Sequence, residues 1–394
     1  MIGGMTETES KISLGRGTGP LRGIKVVEIA GIGPGPHACT ILADLGADVI
    51  RVERPGGQLL SGGAHDLLTR GRPSVALDLK HPAAVDTVLR LAGDADVFVE
   101  GMRPGVTERL GLGPDTLLAR NPRLVYGRMT GWGQDGPLAH AAGHDLTYVA
   151  TTGVLHGLGQ DPDRPHFPTN LVGDFGGGST YLVIGLLAAL LEARVSGQGQ
   201  VVDAAIVDGT SHLATMLYGM AAGGLLTERR GTNLLDGGVP FYDVYGTKDG
   251  RHVAVGALEP QFFAALVRLL GVEDRCPGQH DLERYDEMRA LFTEVIATRT
   301  MAEWAELAEG TDACLAPVLT PTEAAAHPHL AARGVTVEID GVRQPAPAPR
   351  FSRTGASIAA PPAAKPGQHT REALTAWGIE EVDVLLESGA AVQA

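Results

Sequence analysis

Apolar positions along the chain fall into two rhythms. Short runs with little polar interruption, at residues 24–30, 48–53, 75–79, 97–100 and 124–129, have the length and β-branched content of buried strands. Longer segments at 37–45, closed by Gly46, and at 83–92 and 181–193 carry helical spacing. A strand, a turn, a helix and a second strand in succession predict a parallel sheet with helices on its faces. From Val201 through Met220 the pattern reads as a long apolar helical passage, with Met216 and Met220 four apart on a core-like stripe. Glycines at 223, 224, 231, 237 and 238 then break the rhythm and predict a connection to a second, smaller domain. Its elements read as a strand at 253–255, helices at 261–270 and 289–298, and a return near 316–319. The Pro/Ala-rich stretch 345–366 is expected to run over the surface, and no internal repeat is found.

Length and composition agree with this division. At 394 residues the chain exceeds the usual size of one domain, so two cores are expected. A formal charge of -14 argues against nucleic acid as a partner, because neutralising phosphates needs an excess of Lys and Arg. Cys39, Cys276 and Cys314 are too few and too dispersed for a disulfide framework or a zinc site, which fits a reducing compartment. Residues 1–19 lack the apolar region of a secretion signal, and no run of about 18 uncharged apolar residues is evident. A cytoplasmic protein without a membrane association is expected.

Two stretches carry candidate chemistry. His144 lies in Gly143-His144-Asp145-Leu146-Thr147-Tyr148, and Asp174 in Gly173-Asp174-Phe175-Gly176-Gly177-Gly178. An imidazole and a carboxylate of different ordinary pKa, each beside glycine, are suited to proton transfer. Asp145 and Tyr148 are hydrogen-bonding groups that can fix the His144 tautomer, and the triple glycine reads as bare N–H groups opening an apolar helix, suited to an oxyanion. The ordinary alternatives are a capping histidine and a turn aspartate. Gly31-Ile32-Gly33-Pro34-Gly35-Pro36, followed by Glu53 at the end of the next strand, invites a dinucleotide site. Pro34 and Pro36 remove two N–H groups that would face a pyrophosphate, so NAD and FAD are not expected. His140 and His144 stand four apart, but no further ligand follows at metal spacing, so no metal is expected and His140 reads as solvent-facing. Arg51, Arg54, Lys80, Arg103 and Arg109 recur after strand ends, where ligands of open α/β sheets sit, and suggest a polyphosphate site.

Taken in order, Gly33-Pro34-Gly35-Pro36, 43–49, Arg103-Pro104-Gly105-Val106, Leu110-Gly111-Leu112, Met129-Thr130-Gly131-Trp132-Gly133, Gly143-His144-Asp145 and Gly173-Asp174 resemble the class III CoA-transferase family, within it the alpha-methylacyl-CoA racemase branch. The resemblance runs from about Leu21 to Arg353. It implies an α/β fold, with a Rossmann-like large domain on a parallel sheet, a smaller α/β domain, and an interlocked homodimer whose site is shared between subunits. The implied divisions are a flexible tail at 1–20, a CoA-binding domain at 21–204, a linker at 205–242, a small domain at 243–315, a linker at 316–335 and a return to the large domain at 336–394. Catalytic roles are implied for His144 and Asp174, with Glu259 pairing with the histidine across the dimer; a helix-starting Glu beside Pro260 is the ordinary reading of that residue. CoA contacts are implied for Ile32, Arg54, Leu77, Asp78, Leu79, Lys80, Gly101, Met102, Arg103, Arg109, Gly143, Asp145 and Tyr148. The implied reaction interconverts (R)- and (S)-2-methylacyl-CoA thioesters by two-base 1,1-proton transfer, with no cofactor beyond the CoA of the substrate. The alternative within the family is CoA transfer with Asp174 as nucleophile.

Overall fold

The computed structural model describes residues 18–57 and 63–394, so residues 1–17 of the expected tail lie outside the described residues. Strand β1 (Lys25–Ile29) is buried on both faces, as a strand central to a parallel sheet must be. Helix α1 (Pro34–Asp44) follows, its first turn pre-set by prolines that sacrifice no intrahelical bond there. Strands β2 (Asp48–Glu53) and β3 (Ser74–Leu77), helix α2 (Pro82–Gly93) and strand β4 (Val97–Glu100) come next. Helices α3 (Val106–Arg109) and α4 (Pro114–Arg120), strand β5 (Val125–Thr130) and helix α5 (Asp145–Thr151) lead to a π-helical turn at Leu171–Ser179. That turn runs straight into helix α6 (Thr180–Ser196). Strand β6 (Val201–Ala205) and helix α7 (Ile206–Leu213) complete this passage.

The described residues resolve into two units, of which the first comprises 18–57, 63–152, 169–213 and 334–394. Its seven-stranded sheet includes strand β12 (Ala391–Val392), reached after the later elements described below, and has the order β12-β3-β2-β1-β4-β5-β6. All its pairings are parallel except that of β12 with β3. The chain winds outward from β1 to β3, then returns to β4 beside β1 and winds the other way. Between β1 and β4 the winding reverses, which opens a crevice at the carboxyl ends of these strands.

Alternate residues of the strands feed two cores. Val27, Ile50, Val75 and Phe98 face α2 and α4, whereas Val26, Val49, Val97 and Val125 face α1 and α6. Each such fully buried side chain contributes roughly 1.5–3 kcal/mol. The expected helical passage from Val201 is corrected at its start: 201–205 pair with β5 as a parallel edge strand, and helix begins only at Ile206. The run Leu171–Ser196 is long and apolar enough to cross a membrane by length and composition, contrary to the sequence reading. In this fold its Leu182, Leu186 and Ala189 are buried against the sheet.

The second unit comprises residues 153–168 and 214–333. Helix α8 (Thr215–Ala222) precedes an antiparallel sheet of β7 (Tyr242–Gly246), β8 (His252–Gly256) and β9 (Leu315–Pro317). Helices α9 (Pro260–Leu270), α10 (Tyr285–Ile296) and α11 (Met301–Ala308) surround a core containing Phe241, Val253, Leu266, Phe292 and Trp304. The buried Arg230 guanidinium ties this unit's two segments together by donating to the carbonyls of His156, Asp161 and Pro162. Helices α12 (Pro321–Ala326) and α13 (Pro328–Ala332) end the unit. The chain then re-enters the first unit as a hairpin of β10 (Thr336–Ile339) and β11 (Val342–Pro345), followed by α14 (Thr370–Ala376), α15 (Val382–Glu387) and β12. Trp377 and Leu385 join the core of α2.

Candidate active site

A cleft of about 300 Å³ opens at the carboxyl ends of β1, β4 and β5, where the winding reverses. His144 and Asp174 both line it. His144 is the N-cap of α5, and its backbone is fixed by exchange with Thr147: its N–H donates to Oγ1 at 3.0 Å, and its carbonyl accepts from Oγ1 at 2.7 Å and from the Thr147 N–H at 2.8 Å. Neither of the groups expected to fix its tautomer bonds its ring among the described residues. Asp145 Oδ1 accepts from the backbone N–H of Asp174 at 2.7 Å, and the Tyr148 ring packs edge-on against Trp132 at 4.8 Å. Asp145 thus joins the two candidate groups: it follows one in sequence and holds the backbone of the other.

Asp174 sits in the first turn of the π-helical segment. Its Oδ2 accepts from Asn170 Nδ2 at 3.1 Å, and a Cβ placed on Gly33 would stand 3.3 Å from the same oxygen. Gly33 also has φ +73°, so this close approach and the backbone conformation both require glycine. Burial raises the Asp174 carboxyl above the ordinary carboxylate range and the charge of Asp145 adds to the rise, while Asn170 and His144 oppose it. Burial likewise raises the Tyr148 phenol, helped by Asp174 and opposed by Arg103.

The triple glycine does not open a helix. Helical backbone already begins at Leu171, and a Cβ on Gly177 would overlap Thr210 of α7. These glycines let α7 pack onto the π-helical turn. The N–H groups opening α5, on Asp145 and Leu146, lie beside His144 and have no carbonyl partner within the helix.

Of the residues implied for CoA contact, Ile32, Gly101, Met102, Arg103, Gly143 and Tyr148 line the cleft, and Ile32 is 74% exposed. Asp145 is not among the lining residues and accepts from the Asp174 N–H. Arg54, Asp78, Leu79 and Lys80 stand outside the lining, after the carboxyl ends of β2 and β3 on the same edge of the sheet. Leu77 is placed differently from expectation: its side chain is fully buried in the sheet core. Arg109 ends α3 and is exposed. Arg54, Lys80, Arg103 and Arg109 are exposed and form no ion pair among the described residues. Arg51 leaves this group, because it is buried against Glu28 and Glu53. Glu259 is the N-cap of α9 in the second unit, exposed and without a side-chain capping bond.

Two carboxylates at the cleft escaped sequence reasoning. Glu28 is 1% exposed and paired with Arg51 and Arg72. Glu100 accepts from Arg128 Nε at 3.0 Å and from the Met102 N–H at 2.7 Å, which folds the loop carrying Arg103. Burial raises Glu100. Their signal is an acid at or beside the end of an apolar strand with an arginine opposite it in the neighbouring strand, since a buried carboxylate needs such a partner.

Residues 21–370 match CoA-transferase family III. The chain belongs to this family. CoA-transferase family III relatives include the protein named alpha-methylacyl-CoA racemase in Mus musculus, 44% identical over 368 residues, covering 93% of this chain and 95% of that protein. The Homo sapiens protein of the same name is 42% identical over 369 residues, covering 92% and 95%. A crystal structure of a CAIB/BAIF family protein from Brucella suis superposes with a TM-score of 0.79 at 27% identity, covering 91% of this chain and 100% of that one. The family's mixed α/β fold with a predominantly parallel sheet is thus common to both chains.

Proposed function

We propose that this protein interconverts the (R) and (S) forms of 2-methylacyl-CoA thioesters by 1,1-proton transfer. One observation carries the reading: an imidazole and a carboxyl group with raised proton affinity line a single cleft at the reversal point of the sheet. Two relatives named alpha-methylacyl-CoA racemase support the choice of substrate. The thioester carbonyl acidifies the α-C–H, and one of His144 and Asp174 takes that proton. The electron pair moves onto the carbonyl oxygen as an enolate, and the other residue returns a proton to the opposite face. An imidazole, with an ordinary pKa near ~6.5, can act in either direction at neutral pH. A carboxyl group ordinarily near ~3.9 carries a proton only if its environment raises it, as burial and Asp145 do for Asp174. The N–H groups opening α5 are suited to receive the enolate oxygen. The step draws on these side chains and the substrate's own carbonyl, with no cofactor.

The exposed cations Arg54, Lys80, Arg103 and Arg109 would bind the CoA phosphates at the carboxyl edge. Two copies are proposed to interlock, bringing Glu259 of the partner subunit to His144. The exposed apolar residues Leu171, Ile184, Leu191 and Val195 on one helical run and the unused carboxylate of Glu259 support this arrangement.

One enantiomer of a 2-methylacyl-CoA, incubated with the protein in deuterium oxide, tests the reading. Inversion with deuterium at the α-carbon is expected, and His144→Ala should lower exchange by about 10²–10⁴-fold. Exchange at the wild-type rate in that variant removes His144 from the mechanism. CoA movement only on addition of a second acid, without exchange, assigns the transferase reaction instead.

A further inference from the structure

We propose that His37 is a positioning residue for Asp174, acting through the π-helical turn that carries it. The proposal rests on the proton-transfer reading above. A π turn places one extra residue in the helical circuit and is rare, found mostly as a single turn at functional sites. Here the Phe175 carbonyl accepts from the Thr180 N–H, from Thr180 Oγ1 at 2.9 Å and from Ser179 Oγ at 3.1 Å. Ser179 is fully buried, and its Oγ lies 2.6 Å from His37 Nδ1. Serine has one hydroxyl proton. When it goes to the Phe175 carbonyl, the proton in the second bond must come from the imidazole, which makes His37 the Nδ1–H tautomer. Burial and the nearby Arg70 and Arg72 lower the His37 pKa, which favours the neutral ring.

The imidazole also packs on the Phe175 ring, with centroids 4.5 Å apart. One turn earlier on α1, Gly33 abuts the Asp174 carboxylate, and its carbonyl accepts from the His37 N–H at 3.1 Å. The start of α1 therefore meets the π turn at Asp174 and again just after it: Gly33 against the carboxylate, His37 against residues 175 and 179. His37 does not line the cleft, so its effect on the reaction passes through the placement of Asp174.

The test uses the full chain, one 2-methylacyl-CoA enantiomer and deuterium oxide. His37→Ala is expected to lower kcat for α-proton exchange about tenfold while KM stays within about twofold, and to displace the limb of the pH profile that belongs to Asp174. His37→Asn, whose amide can donate to Ser179 from nearly the Nδ1 position, should recover most of the rate. An unchanged kcat in His37→Ala overturns the proposal. So does equal impairment in both variants with an unmoved pH profile, which marks a packing role only. Should His37→Ala fail to fold, Ser179→Ala removes the hydroxyl alone and is expected to reproduce the loss. If the wild type exchanges no α-proton, the underlying reading fails separately. The positioning role then stands or falls on amide hydrogen exchange at residues 174–179, expected to quicken about tenfold in His37→Ala.

Discussion

His144 and Asp174 look alike in sequence, each a titratable residue after a glycine, yet the fold holds them by different means. His144 is placed by its backbone: the cap of α5 and the exchange with Thr147 fix its Cα, and Asp145 bonds the Asp174 N–H instead. Asp174 is strapped by its surroundings. Asn170 holds its carboxylate, Asp145 its backbone N–H, and Gly33 the space beside it. The difference accords with their proposed chemistry. In that proposal Asp174 would serve either the racemase or the transferase reaction, so its geometry would belong to the scaffold, whereas His144 would be needed only where a second proton carrier is needed.

The comparison is broken most severely at Gly173. A Cβ there would overlap Asp145 Oδ1 and stand 2.7 Å from Val149, so Gly173→Ala must displace Asp145, Asp174 or both. A loss of about 10²-fold in kcat is expected, because displacement by about 1 Å suffices for that, with a stability cost of about 1–3 kcal/mol from overpacking. Steady-state kinetics alongside a denaturant melt separates the two. A wild-type kcat would show that the strap on Asp174 carries no catalytic weight.

The scaffold was legible in the sequence where burial dictates pattern. The β1 and β2 runs follow from β-branched strings, whereas α1 begins at Pro34, three residues before the helix read from spacing at 37–45, because the prolines taken for a turn occupy its first turn. What stayed hidden depends on contacts distant in sequence. Nothing local distinguishes the Gly173 that admits Asp145 from any turn glycine, and Gly177 read as helix-opening because its partner, Thr210, lies 33 positions away in sequence. Val201–Ala205 read as helix because an edge strand next to an apolar helix carries no alternation strong enough to mark the boundary. Arg51 and Arg103 are both basic residues near strand ends. Only the fold shows that Glu28 neutralises the first and leaves the second exposed.

Asp145 offers a sharper probe, since Asn preserves an acceptor for the Asp174 N–H and removes the charge. In Asp145→Asn the Asp174 carboxyl loses one cause of its rise, so its pKa moves down toward the ordinary value. In the direction where Asp174 is the base, the acid limb of the pH profile should move to lower pH. In the opposite direction Asp174 must be protonated, and the rate at neutral pH should fall about three- to tenfold. Assays started from each enantiomer over a pH series read both. Profiles that move together in both directions would mean that Asp145 acts on binding or on His144 instead. The same sign governs stability: a raised carboxyl favours the folded state at low pH and withdraws that contribution as pH rises through its folded pKa.

The smallest effect is expected at the cations. Arg103 follows the cleft-lining Gly101-Met102 and is exposed, so its contact with a CoA phosphate would be formed in water and screened by salt. Arg103→Ala should raise KM by roughly fivefold, about 1 kcal/mol, with kcat nearly unchanged, because the contact is the same in ground and transition states. Raising ionic strength should shrink the difference between variant and wild type. The opposite pattern, a fall in kcat at constant KM, would place Arg103 with the reacting centre. Its field already opposes the rise of the Tyr148 phenol, so the same experiment decides whether the cation's influence stops at the phosphates or extends along α5 toward His144.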